Sequence, residues 1–123
     1  MISIYYREVN GTYNKNNDKR IHVLEVRGHA GAAEPGMDIV CAAVSVLVQT
    51  CAAELLKLYD DGKLKEEPLV ELDEGMATIA YSYPLPDPEQ LYLVIDTVLI
   101  GLENIAEMYS DYVSIQVNRD FTH

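Results

Sequence analysis

Cys41 and His29 are the two residues of this sequence whose types and spacing could together perform covalent chemistry. A thiolate adds to a carbonyl carbon, and an imidazole nearby can serve as the acid and base of that step. Cys41 lies near the start of an apolar segment that is predicted to be a helix. The unsatisfied N–H groups and dipole of a helix N-terminus favour a thiolate and could stabilise the resulting oxyanion. The spacing therefore predicts Cys41 as nucleophile and His29 as acid and base.

The residues around Cys41 also have structural interpretations. Free cysteine is among the most buried residue types, so Cys41 could be a core thiol, and Cys51 is predicted to be one. Asp38 is placed to cap the helix, and its charge would oppose a thiolate unless it is engaged by the backbone or His29 is protonated. Ser45, one turn after Cys41 on the same face, could touch the sulfur or bond back to a carbonyl. Asp38 and Ser45 are therefore predicted only as supporting residues.

The segment between the histidine and the helix is rich in small residues and is predicted to be a loop that contacts substrate. Its candidate residues are Gly31, Glu34, Pro35, Gly36 and Met37. Whether this loop closes only on substrate is left open by the sequence.

Charge and composition narrow the possible partners. Nine Lys and Arg residues against 20 Asp and Glu residues give a net charge of −11, which argues against direct nucleic-acid binding and favours a basic protein as partner. Two cysteines ten residues apart on one helix are beyond disulfide reach, so both are expected to be thiols. The histidines, at positions 22, 29 and 123, form no pair at zinc spacing, and we expect neither metal nor cofactor.

The length of 123 residues predicts a single domain over residues 1–123. The N-terminus has no basic segment followed by an apolar one, and no uninterrupted apolar run approaches the length of a membrane span. These features predict a cytoplasmic protein that does not bind membranes.

The periodicity of apolar residues predicts an α+β fold with the order β-β-α-β-β-α-β. The helices cover about Ile39–Leu58, with Asp38 as N-cap and Gly62 at its end, and from a cap at Asp87 to about Tyr109. The predicted strands cover Ile2–Glu8, Arg20–Arg27, Leu69–Asp73, Met76–Tyr83 and a final segment with Val113, Ile115 and Val117. Residues 10–19 are predicted to be a long polar hairpin loop. We expect a two-layer sandwich, with two helices packed on a mixed sheet of about five strands.

The motif around the candidate residues resembles the ribosomal-processing cysteine protease Prp family. It consists of Gly28-His29-Ala30 followed by Gly36-x-Asp38-Ile39-Val40-Cys41-Ala42-Ala43-x-Ser45. The second predicted helix, with Leu102-Glu103-Asn104-Ile105-Ala106-Glu107-x-Tyr109, and the final strand are also similar to the family. The resemblance extends over nearly the whole chain, about residues 1–118.

The resemblance implies a homodimeric cysteine endopeptidase that removes the N-terminal extension of large-subunit ribosomal protein L twenty-seven during ribosome assembly. It implies that Cys41 and His29 form the catalytic dyad, and Asp38 matches an aspartate of the family motif. The alternative from another class is a non-catalytic acidic dimer that binds or chaperones a basic ribosomal protein. In that alternative, Cys41 is a buried thiol without catalytic function.

Overall fold

The computed structural model describes residues 1–15, 17–28 and 37–119. The elements follow the predicted order, five strands and two helices in the described residues. They are β1 (Ile2–Asn14), β2 (Asn17–Arg27), α1 (Met37–Asp60), β3 (Leu69–Asp73), β4 (Met76–Pro84), α2 (Glu89–Met108) and β5 (Val113–Arg119). The predicted fold class is confirmed: two helices pack on a five-stranded mixed sheet.

The sheet has the strand order β3-β4-β2-β1-β5. All neighbouring pairs are antiparallel except β1 and β5, which are parallel. The first strand is therefore an interior strand. It pairs with β2 on one side and with β5, the last strand, on the other. A parallel pair needs a long crossover connection, and here the crossover contains both helices.

The β1–β2 hairpin corrects one prediction from the sequence. The segment 10–19 was predicted to be a long loop, but β1 runs to Asn14 and β2 begins at Asn17. The ladder continues through pairs such as Gly11 with Lys19, and its register shifts only between Thr12 and Asn14. Polar side chains occur in these residues because this end of the hairpin extends into solvent, and polarity alone does not prevent strand pairing.

The hydrophobic core lies between the sheet and the helices. Alternate strand residues point toward the helices, which buries Ile2, Ile4 and Tyr6 from β1 and Leu24 and Val26 from β2. α2 contributes a stripe at helical spacing, as predicted, with the buried residues Leu91, Ile95, Val98, Leu99, Leu102 and Ala106. The two helices come into close contact where Gly101 of α2 meets Leu47 of α1.

The two helix starts differ from their predicted caps. Asp38 lies inside the first turn of α1, which begins at Met37, so it is not the N-cap residue. Pro88 is the N-cap residue of α2, and no side chain caps that helix. The Asp87 carboxylate, predicted as its cap, instead forms an ion pair with Arg20 at 3.4 Å. The predicted end of α1 is confirmed, since Gly62 has a φ of 78° and its N–H donates to the carbonyl of Tyr59.

The outer surface of the helix pair is apolar and exposed. Ile39 and Val46 of α1 are 69% and 62% exposed, and Ile100 of α2 is 55% exposed. By length and composition, residues Asp38–Asp60 also form a helix apolar enough to cross a membrane, contrary to our expectation from uninterrupted runs. This is weak evidence for a span, because one face of the helix belongs to the core and core helices of soluble proteins pass the same test.

Candidate active site

Cys41 lies near the N-terminal end of α1, on the flank of the helix that faces away from α2. It is the fifth residue of a helix that begins at Met37, two positions deeper than a cap at Asp38 would have placed it. Its side chain is half-buried and packs against the edge of the core. Cys41 therefore lies just after the first turn of α1 and retains some solvent access.

Gly28 follows the last residue of β2, directly before His29, and is held in place on two sides. Its φ of 109° strongly favours glycine, and a Cβ at this position would collide with the carbonyl oxygen of Met1. Its N–H donates to the carbonyl of Gly75, in the β3–β4 turn, at 3.0 Å. The sequence therefore attaches His29 to a constrained backbone position at the end of a central strand.

The predicted residues of the connecting segment fall largely outside the described part of the chain. His29, Gly31, Glu34, Pro35 and Gly36 lie outside the described residues, so their roles stay predictions. Met37 is the first residue of α1. Asp38 is exposed in the first turn of that helix, where its negative charge interacts favourably with the positive end of the helix dipole.

Ser45 lies one turn after Cys41 and lines a cavity of about 130 Å³ beside α1. The opposite wall comes from the ends of β2 and β3, the turn after β3 and the start of β4. The lining residues are Val26, Gly28, Val44, Ser45, Val48, Gln49, Leu72, Asp73, Gly75, Met76 and Ala77. Sequence reasoning did not find this cavity because its walls meet only through strand pairing and helix packing.

Cys51 is a core residue, as predicted, and differs from Cys41 in its surroundings. It is buried, and desolvation raises the pKa of its thiol to about 12. The two cysteines are not joined in a disulfide, as predicted. Cys51 is therefore unsuited to act as a thiolate nucleophile near neutral pH.

His22 lies in a buried polar cluster at the other end of the sheet. Its Nδ1 is 2.6 Å from the Tyr6 hydroxyl, and its Nε2 is 2.7 Å from the Tyr83 hydroxyl. Tyr6 donates its only hydroxyl proton to Glu8, at 2.7 Å, so the bond with His22 requires a proton on Nδ1. His22 is then the Nδ1–H tautomer, which donates to Tyr6 and accepts from Tyr83.

Charge and burial keep His22 neutral. Desolvation, assisted by the positive charges of Arg20 and Arg119, lowers its pKa to about 3. The ring stacks against Tyr81, at a centroid distance of 4.7 Å, and is 1% exposed. His22 therefore cannot exchange protons with a substrate, and its role is structural.

The charged members of this cluster were missed at the level of sequence. Glu8 is fully buried and lies 3.3 Å from Arg20, which also pairs with Asp87 at the entry to α2. The signal that could have found them is the strand period, because Glu8 and Arg20 occur at positions that alternate with solvent-facing residues and point to the core.

The fold and site together define a two-layer α+β protein with a cysteine near a helix N-terminus and a histidine following the end of a central strand. The family model of cysteine protease Prp matches residues 9–114. A relative from Bacillus subtilis strain 168, the ribosomal processing cysteine protease Prp, is 30% identical over 114 residues, which cover 89% of this chain and 97% of the relative. The chain therefore belongs to the cysteine protease Prp family and is a cysteine protease, which confirms the predicted class of enzyme.

Solved structures share this fold over nearly the full chain. SMU.848 from Streptococcus mutans has 25% identity and a TM-score of 0.65, with 98% of this chain and 96% of that chain covered. The ribosomal processing protease Prp from S. aureus, solved with a substrate peptide, has 22% identity and a TM-score of 0.65, with coverage of 95% and 99%. The similarity to the S. aureus structure supports the fold described above.

Proposed function

We propose that Cys41 and His29 are the catalytic dyad of this cysteine protease. The observation that carries the proposal is the cavity beside α1, because its wall includes Gly28, the residue before His29, and Ser45, one turn after Cys41. The residue after β2 and the turn of α1 that follows Cys41 therefore line the same space from two sides. The other described candidates are unsuited, since Cys51 and His22 are both buried.

The proposed reaction is hydrolysis of a peptide bond in two steps. The Cys41 thiolate forms a bond to the scissile carbonyl carbon, and the tetrahedral intermediate collapses as His29 protonates the leaving amine. His29 then removes a proton from water, which attacks the thioester carbon and releases the carboxylic acid and the free thiolate. Backbone N–H groups at the start of α1 stabilise the oxyanion of both intermediates.

We further propose that the substrate is the precursor of large-subunit ribosomal protein L twenty-seven, which loses its N-terminal extension in the cytoplasm. The B. subtilis relative is a ribosomal processing protease by name. The net charge of −11 supports a basic protein substrate, because opposite net charges accelerate association.

The decisive experiment incubates the precursor with the purified protein and with Cys41→Ala, using Cys51→Ala as the matched control. Mass spectrometry should detect one fragment of defined mass with the unmodified protein and with Cys51→Ala, and none with Cys41→Ala. Undiminished cleavage by Cys41→Ala would contradict the dyad. Binding of the precursor by the unmodified protein without cleavage would instead support the non-catalytic alternative.

We also propose that two copies associate through the outer surface of the helix pair. This surface combines exposed apolar residues from both helices, namely Ile39, Val46, Leu93, Ile100 and Met108. Exposed apolar residues on two neighbouring helices favour an interaction site, and a symmetric dimer would bury them on both copies at once.

Light scattering after size exclusion tests the dimer. Val46→Glu should convert a dimer to a monomer, because it would place a charge within the apolar interface. Leu69→Glu is the matched control, since Leu69 is also exposed but lies on edge strand β3. A dimer that withstands Val46→Glu, or is lost with Leu69→Glu, would contradict this surface.

A further inference from the structure

The described helices cover one face of the sheet, and we call the other face the open face. Its residues alternate along each strand with the buried residues of the core. Tyr5 of β1 lies on the open face and pairs with Glu25 of β2 on one side and with Gln116 of β5 on the other. Paired residues lie on the same face of a sheet, so these three side chains form a row across three strands.

Charge is distributed unevenly between these strands and the rest of the chain. Residues 2–27 and 113–119, which form the β1–β2 hairpin and β5, contain six of the nine Lys and Arg residues but only three of the 20 Asp and Glu residues. The remainder has three Lys and Arg residues against 17 Asp and Glu residues. Acidic Glu71 and Asp73 share the open face but lie on β3, three strands away from β1. The net charge of −11 therefore conceals one basic region.

Two exposed arginines flank Tyr5 on the open face. Arg7 is two residues after Tyr5, and Arg27 pairs with Ser3, two residues before it. Two residues of a strand advance about 7 Å, so the two guanidinium groups can reach opposite sides of a ligand that lies on Tyr5. Arg27 forms an ion pair with Glu25 at 3.4 Å, which offsets the carboxylate opposite Tyr5. Arg7 has no salt-bridge partner among the described residues.

Tyr5 offers an aromatic ring with space beside it. It is 43% exposed and lines two shallow cavities of about 290 and 320 Å³. Arg7, Gln116 and Asn118 line the first cavity, and Arg27 lines the second. An aromatic ring stacks on nucleobases, amide side chains form hydrogen bonds with base edges, and arginine binds phosphate. All three kinds of group meet on this part of the open face.

We propose that the open face around Tyr5 binds single-stranded nucleic acid, with one base stacked on Tyr5 and the flanking phosphates bound by Arg7 and Arg27. The phosphates of a duplex would extend over the acidic remainder of the molecule, whereas a few nucleotides of single strand stay within the basic region. An acidic peptide would use the arginines but not the ring and the amides. The surface is separate from Cys41 and from the outer surface of the helix pair, so the inference does not depend on the proposed dyad or dimer.

Fluorescence anisotropy with labelled single strands of about eight nucleotides, oligouridine for RNA and oligodeoxythymidine for DNA, tests the surface on the full chain. Tyr5→Ala should weaken binding about 5- to 150-fold, the effect of losing one stacked base, and Tyr5→Phe should retain it. Arg7→Ala should make the slope of log K against log salt concentration shallower by about 0.7. Lys57→Ala removes the same charge from an exposed position on α1 and is the matched control, which should keep the slope.

Binding of either single strand that depends on both Tyr5 and Arg7 supports the surface, and tighter binding of oligouridine would assign it to RNA through the 2′-hydroxyl groups. Absence of binding at about 50 mM salt overturns it, as does binding that either Tyr5→Ala or Arg7→Ala leaves unchanged. A polyglutamate peptide that binds Tyr5→Ala as tightly as the unmodified protein, and displaces the oligonucleotide, would overturn it in favour of an acidic protein partner. Circular dichroism checks that both variants keep the fold, which is expected because both side chains are exposed.

Discussion

The two ends of the sheet face that packs against the helices differ in how far their polar groups are buried and bonded. Where the buried part of β1 ends and that of β2 begins, Glu8, Arg20 and His22 are buried and engaged in hydrogen bonds and ion pairs. At the other end, Cys41 is half-buried beside a cavity that opens to solvent. Buried hydrogen bonds and ion pairs hold the groups of the first end in place and keep them away from solvent. The second end leaves a reactive group accessible.

This difference matters because the chain carries titratable and nucleophilic groups of the same type at both ends. His22 is fixed between two tyrosines, whereas His29 follows Gly28 in the sequence and lies outside the described residues. Cys51 is buried in the core, whereas Cys41 is only partly buried and packs against the core. Residue type therefore does not identify the catalytic groups, and their surroundings must be compared.

The largest expected difference between the two ends is in catalysis, and the same substitution at both histidines measures it. His29→Gln should lower kcat/KM by about 100-fold or more, because it removes the acid and base, with little change in the free energy of unfolding. His22→Gln should cost about 1–3 kcal/mol of stability, because it disrupts buried hydrogen bonds, while the folded enzyme keeps its kcat/KM. Equal losses of activity in both variants would contradict the proposed division of roles.

The next effect concerns the stability of the buried end. Glu8→Gln should lower the free energy of unfolding by about 3–5 kcal/mol, because it removes one of the two negative charges that pair with buried Arg20. Urea unfolding measures the loss. The control is Glu25→Gln, which breaks an exposed ion pair with Arg27 and should cost less than about 1 kcal/mol. A loss from Glu8→Gln no larger than the control would show that the buried charge pair adds little to stability.

The smallest effect is a pH dependence that originates at His22. Folding lowers the pKa of His22 from 6.5 to about 3, so the unfolded chain binds a proton that the folded chain does not. The contribution of neutral His22 is fully present above pH 6.5 and is lost as pH falls toward 3. Between pH 7 and pH 5, this group should reduce the free energy of unfolding by about 2 kcal/mol.

Urea unfolding of the unmodified protein and of His22→Gln at both pH values isolates this contribution. The variant should lose less stability than the unmodified protein on acidification, by about the 2 kcal/mol assigned to His22. Cys51→Ala serves as the control, because the Cys51 thiol does not titrate in this range, and it should follow the unmodified protein. Identical slopes for the unmodified protein and His22→Gln would mean that His22 titrates normally in the folded state.

Local patterns in the sequence were sufficient to predict most of the elements. Alternating apolar residues and turn glycines predicted β3 and the start of β4, and Gly62 marked the end of α1. These features succeed because a strand period and a left-handed glycine depend on neighbours in the chain. The same local reasoning placed Cys41 near a helix N-terminus.

The failures involved groups whose partners are distant in sequence. Asp is a residue type that commonly caps helices, but the carboxylate of Asp87 pairs instead with Arg20, 67 residues earlier. The length of the β1–β2 ladder likewise depended on pairing across the hairpin, which the polarity of residues 10–19 concealed.

The sequence by itself determined the order of elements, the interval between His29 and Cys41, and their family-like motif. Only the tertiary structure decided that β1 lies between β2 and β5, that His22 is buried and neutral, and that a cavity lies beside α1 one turn after Cys41. The physical reason is that propensity and periodicity are local, whereas burial, pKa and cavity shape depend on which strands and helices meet.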